Sequence, residues 1–340
     1  MNGADTIPVS VLTGFLGSGK TTMLGHLLRQ REFSRTAVII NEFGEIGLDH
    51  ELIETSEDSI VTLTTGCLCC KVRTDLSQTL QDLLRRRDEG SCSRFDRVVI
   101  ETSGLADPAP ILHALMTDQS IAARLTLGGV VTAVDAVNGC ATLEREAVSR
   151  KQIAVADRVV LTKLDLTDGD IEAALRGRIA DLNAGAPTLR AAHGCIEPNG
   201  LFDIALCNRK TGARDFDAWL GDTRGHDHHN HDTEITTYAV VRTAPIQAVA
   251  LTLFLEALAE HCGAELLRLK GIVNIAEEPS RPAVIHGVQH VFHAPAWLDC
   301  WPSADRRSRM VFITRGIPQP WVETLLDVIG TEVADASALV

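Results

Sequence analysis

The segment GFLGSGKTT, from Gly14 to Thr22, follows the apolar run Val9–Leu12 and leads into a helical pattern from Met23 to Leu28. Glycines let backbone N–H groups converge on phosphate oxygens, and a helix that begins there adds a favourable dipole. The Lys20 side chain can reach the β- and γ-phosphates, and the Thr21 hydroxyl suits Mg²⁺. This strand–loop–helix context predicts a P-loop that binds a nucleoside triphosphate. Its candidate binding residues are Gly14, Gly17, Ser18, Gly19, Lys20, Thr21 and Thr22.

Acidic residues follow two further β-rich runs. Glu101 comes directly after one run, with Gly104 three residues later, and Glu45 ends the segment NEFGE that follows another. A carboxylate at the end of a strand beside a P-loop is typical of a group that binds Mg²⁺ or positions water, and a nearby glycine N–H can face the γ-phosphate. Glu45 and Glu101 are therefore candidate catalytic residues together with Lys20, and Gly104 is a candidate phosphate-binding residue. The alternative is that either acid only pairs with a lysine.

The segment TKLD, residues 162–165, follows another β-rich run, where a loop that reads a nucleotide base is expected. The Asp165 carboxylate can accept hydrogen bonds from guanine N1–H and the exocyclic amine, while the Lys163 stem packs over the base. Adenine lacks this pair of donors and would leave the carboxylate without a partner, at a cost of about 1–3 kcal/mol. Thr162, Lys163 and Asp165 are therefore predicted to select GTP, which we expect the chain to hydrolyse slowly. A solvated Lys/Asp turn is the alternative.

Three cysteines, Cys67, Cys69 and Cys70, lie within four residues, after a β-rich run and before a helical pattern. Thiolates favour Zn²⁺ and neighbouring ions over Mg²⁺ and Ca²⁺. The fourth ligand could be an acid, a histidine, water or a recipient's side chain, and an incomplete shell can release its metal. A redox-active pair of thiols is the main alternative. The other cysteines are scattered and are predicted to be small, partly buried residues: Cys92, Cys140, Cys195, Cys207, Cys262 and Cys300.

A second candidate metal site lies in the segment HDHHNHD, residues 226–232. Imidazoles at this density suit weak, exchangeable binding of Zn²⁺, Co²⁺ or Ni²⁺, although a solvated polar linker has the same composition. The candidate ligands are His226, His228, His229 and His231. His193, at a turn before Gly194, is a further candidate ligand, but an ordinary unliganded histidine is the simpler interpretation. The isolated residues His26, His113 and His261 are predicted to lie on helix surfaces or in the core.

The elements that must position these residues alternate along the first part of the chain. Near-continuous Val/Ile runs are separated by helical patterns, which indicates an α/β fold with a buried, mostly parallel sheet flanked by helices. Such sheets bind nucleotides at the carboxyl ends of their strands. The predicted strands are Thr36–Ile40, Ser59–Leu63, Arg97–Ile100, Gly129–Val134 and Arg158–Leu161, and the predicted helices include Leu76–Leu84 and Ile171–Ile179.

The composition pattern divides the chain into three segments. Residues 1–207 form the predicted P-loop GTPase domain, residues 208–233 a polar, His-rich linker, and residues 234–340 a smaller α+β domain with a mixed sheet. The predicted strands of the last segment are Thr237–Val241, Glu265–Ile275, Ala283–Phe292 and Arg309–Ile313, and its predicted helices are Ala248–Leu258 and Trp321–Ile329.

The overall charge limits the classes of partner. The 340 residues are 45% hydrophobic and 23% charged, with a formal net charge of −13. Nucleic acids and anionic membranes need a basic surface, so this balance argues against both as partners. No apolar run approaches the length of a membrane span, and residues 1–5 lack the features of a signal peptide. We therefore expect a cytoplasmic protein.

Taken together, the motifs resemble those of the CobW-like family of GTP-dependent metallochaperones and metallocentre insertases, over nearly the whole chain. The resemblance is carried by GFLGSGKTT (14–22), NEFGE (41–45), GCLCC (66–70), ETSGLADP (101–108) and TKLD (162–165), in the family's order, and by LLRLKG (266–271) and GVQ (287–289) in the last segment.

The resemblance implies GTP and Mg²⁺ binding, low GTPase activity and a transition metal held at the CxCC cysteines. It also implies a position near the metal for Glu45 and an accessory metal site for His193. Some relatives carry a glutamate just before the NEFG segment. This chain has Ile40 there, so a metal ligand from that position is absent.

These inferences combine into the hypothesis of a GTPase that transfers Zn²⁺, or alternatively Co²⁺, to a client metalloprotein. The P-loop, the NEFGE loop and the cysteine loop are expected at one sheet edge, where the γ-phosphate could hold the loops that complete the thiolate shell. Hydrolysis would then weaken the metal site. Two alternatives stay open: a cobalt chaperone for cobalamin synthesis or nitrile hydratase activation, and a passive zinc buffer. The sequence also leaves open whether the chain forms a homodimer.

Overall fold

The computed structural model describes residues 6–42, 60–64, 69–196, 201–202, 220 and 235–338. The chain divides into two compact units, Met1–Ile179 with Ala186–Cys207 and Ala180–Gly185 with Asn208–Val340. No helix among the described residues is long and apolar enough to cross a membrane.

A parallel sheet forms the first unit. Its strands within the described residues are β1 (Ile7–Thr13), β2 (Thr36–Glu42), β3 (Ile60–Thr64), β4 (Arg97–Thr102), β5 (Leu125–Asp135), β6 (Arg158–Thr162) and β7 (Thr188–Arg190). They lie in the order β3-β2-β4-β1-β5-β6-β7, and each described strand pair is parallel. The carboxyl ends of all these strands therefore lie at one edge of the sheet.

Helices lie between these strands along the chain. They are α1 (Lys20–Leu28), α2 (Cys69–Glu89), α3 (Ala109–Thr117), α4 (Gln119–Ala122), α5 (Gly139–Arg145), α6 (Ala147–Ala154) and α7 (Gly169–Leu182). Val11 and Leu12 are successive residues of β1, yet both are fully buried. Since successive strand residues point to opposite faces, both faces of the sheet are covered. The predicted α/β fold with a parallel sheet flanked by helices is confirmed.

A hydrophobic cluster attaches α1 to this sheet. Met23, Leu24 and Leu27 are fully buried in a cluster that also contains Val99 and Val131. Each such side chain contributes about 1.5–3 kcal/mol when it leaves water. The loop between β1 and α1 is therefore held at both ends by buried elements.

The second unit contains an antiparallel sheet and two described helices. Its described elements are β8 (Ile235–Arg242), α8 (Ala248–Cys262), β9 (Leu266–Val273), β10 (Ala283–Val288), β11 (Val291–Phe292), β12 (Ala296–Trp297), β13 (Ser308–Arg315) and α9 (Gln319–Ala338). The strand order is β11-β10-β9-β13-β8, and β12 pairs with β10. The α+β class is confirmed, but the expectation of a mixed sheet is wrong, because each described pair of named strands is antiparallel.

One predicted strand of this unit, Ala283–Phe292, is two strands joined by a tight turn. Val288 pairs with Val291, and Gln289 between them has a φ of 53°. A two-residue hairpin turn requires left-handed backbone of this kind. Apolar residues continue on both sides of the turn, so the sequence pattern did not indicate it.

Aromatic residues form the centre of the second core. Phe312 of β13 is fully buried and stacks on Tyr238 of β8, with ring centroids 5.6 Å apart. It also meets Phe254 of α8 edge-on, with centroids 6.4 Å apart. Aromatic pairs of this kind add about 0.5–1.5 kcal/mol beyond the burial of their area. The cluster therefore ties the sheet to α8.

Replacing Phe312 by alanine is expected to lower the free energy of unfolding by about 3–5 kcal/mol, because both ring contacts are lost and a cavity remains. Chemical denaturation of the whole chain measures this loss. Val328→Ala is the matched control, since Val328 is 54% exposed on α9. Its effect should stay within about 0.5 kcal/mol, and equal losses from the two substitutions would contradict this account of the core.

Candidate functional site

The P-loop runs from the end of β1 at Thr13 to the start of α1 at Lys20. Gly14 has a φ of 142°, and a Cβ atom there would lie 2.2 Å from the carbonyl oxygen of Ala133 on β5. Only glycine permits this passage of the backbone against the sheet edge. One loop and the first turn of α1 thus bring together the predicted phosphate-binding residues Gly14, Gly17, Ser18, Gly19, Lys20, Thr21 and Thr22.

Two polar groups of this loop fit an anionic ligand. The Lys20 ammonium donates hydrogen bonds to the carbonyl oxygens of Gly14 at 3.0 Å and Phe15 at 3.3 Å, so its charge lies inside the loop. The Ser18 hydroxyl is buried and makes no hydrogen bond with the described residues. Buried polar groups normally have a partner, and phosphate oxygens accept strong hydrogen bonds from both kinds of donor. The loop is therefore chemically suited to a phosphate group.

Thr21 and Glu101 meet at the first turn of α1. The Thr21 hydroxyl donates to Glu101 Oε1 at 2.6 Å, and Glu101 is buried near the end of β4. The pairing of β1 with β4 sets Glu101 opposite Leu12, just before the P-loop. Hydroxyl and carboxylate oxygens are hard ligands of the kind that Mg²⁺ prefers. This pair therefore fits the cation that accompanies a nucleoside triphosphate.

The segment after β4 lies directly against the P-loop. A Cβ atom on Gly104 would lie 2.6 Å from the backbone nitrogen of Leu16, so only glycine allows this approach. The Thr102 hydroxyl strengthens the contact by donating to the hydroxyl of Thr13 at 2.8 Å. The backbone of Gly104 is thereby held beside the loop that carries Lys20.

The loop after β6 is tied to the P-loop through Thr162, whose hydroxyl donates to the Ser18 carbonyl at 2.8 Å. Lys163 adopts a left-handed conformation with a φ of 56°, and its Nζ lies 2.8 Å from Asp135 Oδ2. Burial raises the pKa of Asp135, but hydrogen bonds, that from Lys163 the largest, outweigh burial and hold this pKa below its ordinary value. The ion pair therefore fixes the Lys163 stem. The sequence pattern did not identify Asp135, which lies on a different strand.

A two-residue turn brings His193 to Asp165. Ala192 and Cys195 exchange backbone hydrogen bonds of 3.1 and 2.8 Å around it, and His193 and Gly194 both have positive φ. The His193 backbone N–H donates to Asp165 Oδ1 at 3.4 Å, and its ring Nδ1 lies 3.3 Å from Oδ2. The structure therefore associates His193 with the carboxylate predicted to read the base. Its role as a metal ligand stays a prediction.

Cys195 and His26 form a contact that the sequence did not reveal. Cys195 Sγ lies 3.8 Å from His26 Nδ1 on α1, at the wall of a cavity of about 580 Å³ that Asp165 also lines. The expectation of partial burial is wrong for Cys195 and Cys300, which are exposed. Cys195 closes a surface turn and Cys300 lies in an irregular surface segment, where the small apolar side chain of cysteine does not bring the backbone into the core.

Most of the predicted metal ligands lie outside the described residues. These are Glu45, Cys67, His226, His228, His229 and His231, while Cys69 and Cys70 begin α2 and are described by their backbone alone. β3 ends at Thr64, in register with Glu42 at the end of β2. β3 therefore ends at the sheet edge that carries the P-loop, and the cysteine segment follows it in the sequence. Among the described residues, no group of three or more His, Cys, Asp or Glu side chains could hold a metal ion.

The sequence matches two described protein families. Residues 8–190 match the CobW/HypB/UreG nucleotide-binding domain, and residues 235–329 match the cobalamin synthesis protein cobW C-terminal domain. The first match spans the parallel sheet with the P-loop, and the second spans the antiparallel sheet.

Individual relatives share much of this length. The chain is 36% identical over 315 residues to the zinc chaperone YjiA of Escherichia coli K12, covering 92% of this chain and 95% of that protein. It is 31% identical over 310 residues to the zinc chaperone CobW of a Sinorhizobium species, covering 81% and 83%. It is 34% identical over 200 residues to zinc-regulated GTPase metalloprotein activator 1 of Schizosaccharomyces pombe, covering 57% and 47%.

A solved structure agrees with the sequence relationship. The crystal structure of Zn(II)-bound YjiA GTPase from E. coli is similar at a TM-score of 0.71 and 29% identity, covering 97% of this chain and 99% of that one. With its P-loop at the edge of a parallel sheet and matches to both family domains, this chain belongs to the CobW/HypB/UreG family.

Proposed function

We propose that the chain is a GTP-dependent zinc metallochaperone, which binds and hydrolyses GTP and transfers Zn²⁺ to client metalloproteins. The observation that carries the proposal is the common sheet edge, where the P-loop follows β1 and the cysteine segment follows β3. Neighbouring strands lie about 4.8 Å apart, so three strand spacings separate β3 from β1 by about 14 Å. A bound triphosphate and a metal held at Cys67, Cys69 and Cys70 can therefore influence the same loops.

The P-loop residues bind and orient the triphosphate in this proposal. Backbone N–H groups would donate hydrogen bonds to the phosphate oxygens and Lys20 would balance their charge, while the Thr21 hydroxyl and Glu101 carboxylate would hold Mg²⁺, which would supply further positive charge at the phosphates. Glu45 and Glu101 are the proposed catalytic acids, with Gly104 beside the terminal phosphate. Fixed donors around developing charge lower the barrier without reorganisation during the reaction.

Asp165 gives the proposed preference for guanine. It lines the cavity of about 580 Å³ and lies next to Lys163, whose stem is fixed by its ion pair with Asp135. A fixed carboxylate accepts two hydrogen bonds from guanine and none of this kind from adenine. His193 holds the carboxylate through two contacts.

Zinc is the proposed cargo, supported by the names of the relatives and by the softness of thiolate ligands. These names favour zinc over the cobalt alternative. GTP would hold the loops that complete the thiolate shell, and hydrolysis would loosen it. Glu45, His193 and the histidines between 226 and 231 are proposed as further or accessory ligands. The net charge of −13 supports the absence of a nucleic-acid or membrane partner.

Selection of the guanine base by Asp165 can be tested by substitution. Asp165→Asn should weaken GTP binding by about 10- to 100-fold, because one charge-assisted acceptor becomes a donor. The same variant should bind xanthosine triphosphate more tightly than the wild type does, since xanthine carries a carbonyl where guanine carries its amine. Asp168→Asn is the matched control, because the Asp168 side chain accepts a hydrogen bond from the backbone N–H of Ile171 in the first turn of α7. Binding titrations that show no change in preference for Asp165→Asn would exclude guanine reading by this residue.

The proposed function also predicts that the binding of nucleotide and the binding of zinc are coupled. Zn²⁺ should bind about tenfold more tightly with a non-hydrolysable GTP analogue than with GDP, a difference within the usual range of coupling energies. Competition against a chromophoric chelator measures both affinities. Cys69→Ser should abolish the difference, whereas Cys300→Ser, at an exposed cysteine outside the cluster, should preserve it. Equal zinc affinities in the two nucleotide states would contradict the switch.

A substitution of Lys20 separates a chaperone from a passive zinc buffer. Lys20→Ala should lower GTP turnover by about 100-fold, because a fixed donor to the phosphates is lost. Zinc-loaded wild type with GTP and Mg²⁺ should release zinc to a chelator at the rate of turnover, and Lys20→Ala should not. A buffer would release zinc equally from both proteins, and that result would favour the buffer function.

A further inference from the structure

Gln152 of α6 holds the segment that follows β4. Its side-chain amide donates to the carbonyl oxygens of Gly104 at 3.3 Å and Ala106 at 3.1 Å. Gln152 is completely buried, and these bonds join positions 48 and 46 residues apart. The held segment is the one whose Gly104 lies against the backbone of Leu16 in the P-loop. One buried side chain therefore holds the backbone that lies beside the phosphate-binding loop.

The two carbonyl contacts determine which way the amide of Gln152 points. If the amide were turned over, its oxygen would face two carbonyl oxygens, so the NH₂ group must occupy that side. The oxygen Oε1 then lies on the other side, where it is buried and accepts no hydrogen bond from the described residues. The NH₂ group of Gln152 therefore faces the segment that follows β4.

Helix α6 is the fixed partner in this contact. The Thr132 hydroxyl of β5 donates to the backbone carbonyl of Gln152 at 2.7 Å, which anchors the helix to the centre of the sheet. Lys151 adds a second connection to the segment, with Nζ 3.0 Å from Asp107 Oδ2. Asp107 Oδ1 in turn accepts a hydrogen bond from the backbone N–H of Ala109, at the start of α3. α6 therefore serves as the fixed element against which the position of the segment is set.

We propose that Gln152 is a positioning residue for GTP hydrolysis, an inference that rests on the proposed GTPase function. By binding the carbonyls of Gly104 and Ala106, it directs the opposite sides of these peptide groups away from α6 and sets the backbone beside the terminal phosphate. Gln152 thus stabilises the arrangement of the segment that would contact the terminal phosphate, so it favours the binding of GTP over that of GDP.

The test compares variants of the whole protein. Gln152→Met keeps the length of the side chain but removes its donors, and Gln152→Glu keeps an acceptor in place of the amide. Each should lower kcat for GTP by about tenfold, as expected when two hydrogen bonds no longer orient the backbone. The affinity for GDP should stay within twofold of wild type, so the ratio of GTP-analogue affinity to GDP affinity should fall.

Two further variants separate positioning from simple support of the fold. Phe312→Ala weakens the core of the second unit, so it should lower the unfolding temperature without changing the affinity ratio. Lys151→Met, at a partly exposed position, should shift the ratio in the same direction as Gln152→Met but by less. This variant tests the proposal even if both Gln152 variants fail to fold.

These measurements distinguish a wrong role for Gln152 from a wrong GTPase function. Wild type that binds GTP but does not hydrolyse it would contradict the GTPase function, while the affinity ratio still tests Gln152. Normal wild-type turnover with an unchanged ratio and unchanged kcat in folded Gln152→Met would overturn only the role of Gln152. Equal losses of GDP and GTP-analogue affinity would also overturn it, because they indicate a structural role.

Discussion

The parallel pairing of β1 with β4 is the interaction on which the candidate site depends. Its register sets Leu12 opposite Glu101, so that the acid lies where the P-loop begins and meets Thr21 at 2.6 Å. The hydroxyls of Thr13 and Thr102 then join the two strand ends at 2.8 Å. A slip of one residue would turn Glu101 to the opposite face of the sheet. Strand register therefore determines whether the hydroxyl and carboxylate can share a cation.

The positive charge at the P-loop is local, and it is opposite in sign to the net charge of the chain. A net charge of −13 repels an anionic triphosphate, but solvent and salt screen distant charges over about 8–10 Å. Lys20, held within the loop by two carbonyl oxygens, acts inside that distance. Lys163 does not add to the attraction in the same way, because its charge is balanced by Asp135 at 2.8 Å. The loop backbone and Lys20 are therefore the groups of this site that can offset the repulsion of a phosphate by the net charge of the chain.

The motifs and the parallel sheet could be predicted from sequence because they depend on local spacing and on runs of buried residues. The contacts that complete the site could not, since they join distant positions: Asp135 with Lys163, Cys195 with His26, and Gln152 with Gly104. None of these pairs leaves a periodic signal along the chain. The turn at Gln289 was missed for the opposite reason, because apolar residues continue on both sides of it. The CxCC cysteines and the His-rich tract remain predictions from sequence.

The strand order explains how one phosphate could affect several segments. β4 lies between β1 and β2, and β2 lies between β4 and β3. In the strand order, the segment after β4 therefore leaves the sheet between the P-loop after β1 and the end of β3. That is the segment held by Gln152, and Gly104 already lies against Leu16. The two hydrogen bonds of Gln152 hold the carbonyls of Gly104 and Ala106 toward α6, so a shift of this backbone relative to the P-loop loses those contacts.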